Sequence, residues 1–183
     1  MIPEIRGLDT ETGEPKYARI EFERRWLVDT AARPALDGAF TTRIEDRYID
    51  GTRLRLRRMS RPDLGEVKWK LTKKYESADP SARPIVTSYL TAAEFELLRT
   101  LPALELAKTR HHLRLDGRWW SLDVFEGPLA GLELVEIEAS DAAALAALVP
   151  PPWAAKEVTH DARYQCGALA QTNAIPESRW PVS

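Results

Sequence analysis

Over much of the chain, charged and apolar residues alternate one for one, the two-residue period of a strand whose faces have different surroundings. Across 20–28, Glu21, Glu23 and Arg25 fall on one face and Phe22, Arg24 and Trp26 on the other. Arg53, Arg55 and Arg57 make a second row, backed by Leu54 and Leu56. Glu66, Lys68 and Lys70 make a third against Val67, Trp69 and Leu71, and Arg110, His112 and Arg114 a fourth. Glu136 and Glu138 form a fifth, backed by Val135 and Ile137. The pattern predicts strands at about 18–28, 40–49, 52–59, 65–73, 84–90, 108–116, 118–125 and 131–139. Turn signals join them, Asp116-Gly117 being the clearest hairpin. Thr91-Ala92-Ala93-Glu94 spells a capping box that opens a helix over about 95–101. Ser140 opens an Ala- and Leu-rich helix that stops before Pro150, and a last helix is expected from about Asp161 through Ala170. Eight mainly antiparallel strands with a few helices imply an α+β protein built on a barrel or strongly curved sheet.

A single strand with charges on alternate positions reads as a sheet with one wet face. Five such strands change the reading, because a wet face mixes Ser, Thr, Asn and Gln with its charges and rarely segregates whole rows by sign. If the sheet closes, one face becomes an interior, and an eight-stranded barrel holds a small ligand. Basic rows and acidic rows facing one another there suit a polyanion together with divalent cations. Guanidinium and ammonium groups match phosphate oxygens, and clustered carboxylates offer the hard oxygen ligands that Mg²⁺ or Mn²⁺ takes. Phosphoryl transfer asks a protein mainly for positioning and charge stabilisation, so no Ser or Cys nucleophile is required.

The 183 residues suffice for one domain with a full core, consistent with 44% hydrophobic content and six Trp. A formal charge of -2 gives no global pull toward nucleic acid or membrane, so anion binding must come from local Arg and Lys. No apolar run approaches a membrane span, and the N-terminus lacks a signal-peptide pattern, making the cytoplasm the default location. The expected partner is a small triphosphate or polyphosphate molecule, with a homodimer an open alternative. Residues 1–17 carry Pro3, Gly7, Gly13 and Pro15 and read as an irregular extension. The folded domain is expected over 18–172 and a tail over 173–183. Cys166, the only cysteine, reads as a small buried hydrophobe in a helix, and Lys73-Lys74 as solvated. His111 and His112 are adjacent and face opposite sides of a strand, so they cannot share a metal; Trp119 and Trp120 diverge likewise, at least one packing in the wall.

The ordered set of motifs resembles the CYTH, or triphosphate tunnel metalloenzyme, family, in its bacterial tripolyphosphatase-like branch. The stretch 20–28 is similar to the family's Glu-x-Glu-x-Lys motif, with Arg25 in place of the lysine. Leu54-Arg55-Leu56-Arg57 resembles its Arg-x-Arg strand, Lys70 a phosphate-binding lysine, Lys108-Thr109-Arg110 the next basic motif, and Glu136-Ile137-Glu138 the second acidic pair. The resemblance covers about 18–172 and implies an eight-stranded antiparallel tunnel with flanking helices, which hydrolyses a triphosphate with Mg²⁺ or Mn²⁺. By position it assigns metal to Glu21, Glu23, Asp123, Glu136 and Glu138, the four glutamates being catalytic. It assigns phosphate to Arg55, Arg57, Lys70 and Arg110, with Arg25, Arg53 and Lys68 added. One strand departs from the pattern: where members often carry Arg-x-Glu-x-Glu, this chain reads Arg83-Pro84-Ile85-Val86-Thr87. Inorganic tripolyphosphate is the first-choice substrate and a nucleoside triphosphate the second. The alternatives are a class IV-type adenylate cyclase and a non-catalytic binder of polyphosphate or a phosphorylated ligand.

Overall fold

A computed structural model describes residues 17–177. Five strands come first: Arg19–Val28 (β1), Phe40–Ile49 (β2), Leu54–Arg61 (β3), Glu66–Lys74 (β4) and Ala82–Leu90 (β5). After the helix Ala92–Leu98 (α1) follow Ala103–Leu115 (β6), Arg118–Phe125 (β7) and Glu133–Ala139 (β8). The helix Ala142–Ala146 (α2), the strand Ala154–Glu157 (β9) and the helix Cys166–Thr172 (α3) follow, and short 3₁₀ turns lie at Gly127–Leu129 and Ala162–Tyr164. The strands run in the order β5-β4-β3-β2-β6-β7-β8-β1-β9, and β1 closes the ring by pairing with β5 as well.

Closure depends on β1 dividing one edge between two partners. Phe22 faces Ala82 of β5 and Ala139 of β8, whereas Trp26 faces Glu157 of β9 and Val135 of β8. Between these pairings the β1 backbone is satisfied from outside the ladder. Glu23 N donates to Ser81 O at 3.0 Å, and Arg25 N donates to Thr159 Oγ1 at 3.0 Å. Buried amides without such partners would each be costly.

Alternation then sorts the side chains. On β1, Glu21, Glu23 and Arg25 face the interior, while Trp26 packs outside with Trp120, Leu122, Val135 and Ile137 beneath Leu145, Leu148 and Trp153. A second apolar cluster plugs one end of the barrel, where Leu106, Phe125 and Leu134 meet Leu169 and Ala170 of α3, together with Val158 and Tyr164. That plug leaves the charged rows lining the rest of the interior.

The eight expected strands are present and the barrel is a closed antiparallel one. β6 starts at Ala103 rather than near 108 because it pairs with the whole of β2, from Phe40↔His112 to Ile49↔Ala103, and this pairing overrides the weak strand propensity of Ala-Leu-Glu-Leu-Ala. β9 was not expected: Ala154-Ala155-Lys156-Glu157 has no β-branched residue and becomes a strand because β1 offers it an open edge. The capping box is formed, Glu94 N donating to Thr91 Oγ1 and Thr91 N to Glu94 Oε2, but α1 ends at Leu98. The single final helix is instead a 3₁₀ turn over Ala162–Tyr164 and then α3, separated by an extended Gln165. Apart from Tyr17, the expected N-terminal extension lies outside the described residues, as does the tail beyond residue 177.

Candidate active site

A cavity of about 390 Å³ inside the barrel is lined by eight cations, Arg25, Arg53, Arg55, Arg57, Lys74, Arg83, Lys108 and Arg110. Five carboxylates face them: Glu21, Glu23, Glu76, Glu136 and Glu138. The excess of cations in a protein of net negative charge concentrates positive potential where a polyanion would sit. A larger groove of about 590 Å³ lies on the outer face, against Phe95 and Leu129. Its charges neutralise one another, Arg43 with Glu126 and Arg58 with Glu45, so nothing converges on a ligand there.

Part of the interior is a buried lattice of ion pairs. Arg25 sets Nη2 2.6 Å from Glu23 Oε1 and Nε 2.8 Å from Glu136 Oε1, and its Nη1 donates to Tyr164 O at 2.8 Å. Arg110 donates to both Asp123 oxygens at 2.7 and 2.8 Å and to Glu136 Oε2 at 2.7 Å. Lys108 Nζ donates to Asp123 as well and lies 3.6 Å from Cys166 Sγ. On the facing wall Arg57 holds Asp46 in a two-pronged pair, at 2.6 and 2.7 Å. Burial pushes the Glu136 carboxyl up, but Arg25, Lys108 and Arg110 outweigh it and hold it well below the ordinary range. Burial likewise opposes the Asp46 charge, yet Arg57 and Arg55 bring its pKa down to about 2. Burial weakens the Lys108 ammonium, and Asp123 more than restores it.

A second part is an acidic cluster with spare capacity. Glu23 of β1 lies opposite Glu138 of β8, and one oxygen each of Glu21, Glu23 and Glu138 lie within 4.8 Å of one another. Lys74 touches Glu21 at 2.5 Å. Burial and then the neighbouring Glu136 charge push the Glu23 carboxyl above its ordinary range despite Arg25. Three hard oxygen donors sharing so little space fit a divalent cation such as Mg²⁺ or Mn²⁺, which would relieve that repulsion.

Several cations beside this cluster have no strong partner. Arg55 comes no nearer than 3.8 Å to Asp46 and reaches Thr72 Oγ1 at 3.5 Å. Arg83 has one weak contact, 3.4 Å to Gln165 Oε1, and Arg53 stands exposed at the cavity edge. On β5, Thr87 lies opposite Thr72, their hydroxyls 3.0 Å apart, and Ile85 is buried, so this wall carries Arg83 but no carboxylate.

The structure thus gathers Glu21, Glu23, Glu136, Glu138, Arg25, Arg53, Arg55, Arg57 and Arg110 around one cavity. Three of the expected residues lie apart from this lining, and Glu136, which is part of it, sets its oxygens against Arg25 and Arg110 rather than in the acidic cluster. Asp123 is fully buried with both oxygens taken by Lys108 and Arg110, and it stands outside the acidic cluster. Lys68 is 62% exposed and 3.8 Å from Glu66, outside the cavity lining. Lys70 also lies outside it, its ammonium 5.0 Å from the Tyr89 ring centroid. Conversely, Lys74 is no solvated residue: two positions beyond Thr72, on the same strand face, it enters the cavity. Lys108, two residues from Arg110 and so on the same strand face, also lines the cavity. Cys166 opens α3 and is half-buried on the cavity wall. Asp46 carried no sequence signal, because its role depends on the β2–β3 register that sets it opposite Arg57. Of the neighbouring tryptophans, Trp120 is in the core and Trp119 is 54% exposed.

A closed antiparallel barrel with a cation-rich interior and a tight carboxylate cluster is a tunnel for a compact polyanion. The chain belongs to the CYTH, or triphosphate tunnel metalloenzyme, family. It is 36% identical over 160 residues to an inorganic triphosphatase of Nitrosomonas europaea, spanning 82% of this chain and 96% of that protein. The crystal structure of the inorganic triphosphatase NE1496 superposes with a TM-score of 0.56 at 31% identity, covering 86% of this chain and 97% of that one. The PH1819 protein from Pyrococcus horikoshii shares the fold, with a TM-score of 0.51 at 20% identity over 86% of this chain and 92% of that one. No protein-family model matches the sequence.

Proposed function

We propose that this protein hydrolyses triphosphate chains with the help of Mg²⁺ or Mn²⁺, inorganic tripolyphosphate being the first-choice substrate and nucleoside triphosphates the second. One observation carries the reading: the Glu21, Glu23 and Glu138 cluster shares a cavity with cations that the protein holds only loosely, Arg55 foremost, at 3.8 Å from Asp46. The inorganic triphosphatase relative adds support for the reaction.

Glu21, Glu23 and Glu138 would hold the cation, which when bound neutralises charge between the carboxylates and the phosphate oxygens. Arg53, Arg55 and Arg83 approach the phosphates as exposed or loosely held donors, and the unused amino groups of Arg57 and Arg110 add to them from fixed positions. The pairs Arg57–Asp46 and Arg110–Asp123 hold those guanidinium planes in place before substrate arrives. Water attacks the terminal phosphorus in line with the bridging oxygen, that P–O bond breaks, and orthophosphate and pyrophosphate leave with a proton passed to solvent. The cationic wall stabilises the charge that builds on the leaving oxygen.

A binder without turnover is the second reading, favoured by Ile85 and Thr87 on the tunnel face of β5. Phosphate release from tripolyphosphate, ATP and pyrophosphate with Mg²⁺, Mn²⁺ or chelator, together with detection of cyclic AMP from ATP, separates the readings. Metal-dependent release strongest on tripolyphosphate is expected. Binding without release selects the second reading, and cyclic AMP selects a cyclase.

A further inference from the structure

The tunnel has a second mouth whose chemistry differs from the charged interior. It lies where β2 begins, β3 ends, and the β6–β7 hairpin turns. Phe40, Arg61, His112 and Trp119 line a pocket of about 320 Å³ there. Both aromatic rings are solvent-accessible, Phe40 at 58% and Trp119 at 54%. Neighbouring exposed apolar groups rimmed by polar ones are a common mark of a ligand groove. Each ring already carries a cation: the Arg61 guanidinium stands 5.5 Å from the Phe40 centroid, and that of Arg114 5.6 Å from the Trp119 centroid.

This mouth is continuous with the site. Trp119 also lines a cavity of about 420 Å³ whose other walls include Glu23, Arg110, Glu136 and Glu138. In the β6–β7 ladder, Arg110 pairs with Asp123, His112 with Ser121, and Arg114 with Trp119. Four residues of strand separate Arg110 from Arg114, about 13 Å at the usual rise. That is the scale of the distance from a nucleobase to the terminal phosphate of its triphosphate. β2 and β7 flank β6, and Phe40 lies opposite His112 while Trp119 lies opposite Arg114, so the backbones bearing the two rings are about 12 Å apart, which leaves room for one flat ring between the side chains. Thr42 Oγ1 engages His112 Nε2 at 2.9 Å, which leaves the second ring nitrogen for the edge of a heterocycle.

We infer that this mouth is a ring-binding subsite, which takes the base of a nucleoside triphosphate by stacking on Trp119 and Phe40 while the phosphate chain lies in the tunnel. The inference rests on the triphosphate reading above and adds a specificity to it. Inorganic tripolyphosphate would leave the subsite empty, and a nucleotide would fill it.

The test compares the full-length chain with Trp119→Ala and Trp119→Phe, using ATP and tripolyphosphate, and reads both kcat/KM and calorimetric affinity. Losing a stacking partner should lower the ATP-to-tripolyphosphate ratio about tenfold in Trp119→Ala, with Trp119→Phe restoring most of it. An unchanged ratio, or equal losses on the two ligands, overturns the subsite. If the wild-type chain binds both ligands but hydrolyses neither, the hydrolase reading fails while the affinity ratio still judges the subsite. A chain that binds tripolyphosphate but shows no affinity for ATP refutes the subsite alone, and binding of neither refutes both.

Discussion

Replacing Asp46 by Asn tests whether the tunnel wall is held by buried charge. Asp46 is 1% exposed and grips Arg57 through two short hydrogen bonds, so the amide leaves a buried guanidinium without its counter-charge. Breaking such a pair from one side costs about 3 kcal/mol or more. In a domain of this size that corresponds to a fall in Tm of about 6 to 12 °C. The pH dependence has a definite sign. With a folded pKa of about 2 against an ordinary 3.8, Asp46 contributes stability that is fully present above the ordinary value and lost as pH falls toward 2. One pKa unit being worth about 1.4 kcal/mol, the contribution is on the order of 2 kcal/mol. Thermal melts of wild type and Asp46→Asn from pH 7 to pH 2 should therefore converge at the acidic end. Tripolyphosphate should raise the variant's Tm more than the wild type's, because the phosphate supplies Arg57 with the missing charge. Equal melting temperatures at neutral pH, or a difference that does not shrink on acidification, would refute the reasoning.

Three further perturbations probe other parts of the structure. Arg55→Ala removes a cation that stands 3.8 Å from Asp46, a carboxylate already held by Arg57, so KM for tripolyphosphate should rise about tenfold, as expected for a lost charge-assisted contact, with only a small fall in Tm; steady-state kinetics and a melt check both halves. Arg25→Lys cannot span Glu23, Glu136 and Tyr164 O at once, and chemical denaturation should show a loss of about 2 kcal/mol. Trp120→Ala empties the outer core where Trp120 and Trp26 lie 5.8 Å apart, and urea unfolding should register about 3 to 5 kcal/mol.

The barrel was legible because alternation is a local property: the rows at Glu21, Arg55 and Glu136 announce their strand faces without reference to any neighbour. What alternation does not carry is register. Asp46 looks like any polar strand residue until β3 is set beside β2, and Asp123 looks like a further metal ligand until Lys108 and Arg110 take both its oxygens. β9 was invisible for a related reason, since its four residues become a strand only because β1 leaves an edge open. Lys74 lay within reach of the same argument that singled out Lys68 and Lys70. The row of even-numbered lysines enters the cavity at its far end, and the two members named first are the ones left outside.

On the function proposed above, the Glu21, Glu23 and Glu138 cluster makes the tunnel a cation-dependent triphosphatase. Tripolyphosphate hydrolysis by wild type and Glu138→Gln, measured across a range of Mn²⁺ concentrations, tests it most directly. Loss of a residue that merely supports a metal ligand typically weakens metal affinity about 10- to 100-fold, so the variant, which loses a ligand itself, should need at least that much more Mn²⁺ to reach half-maximal rate. Turnover indifferent to Mn²⁺, or identical Mn²⁺ profiles for the two proteins, would contradict the account.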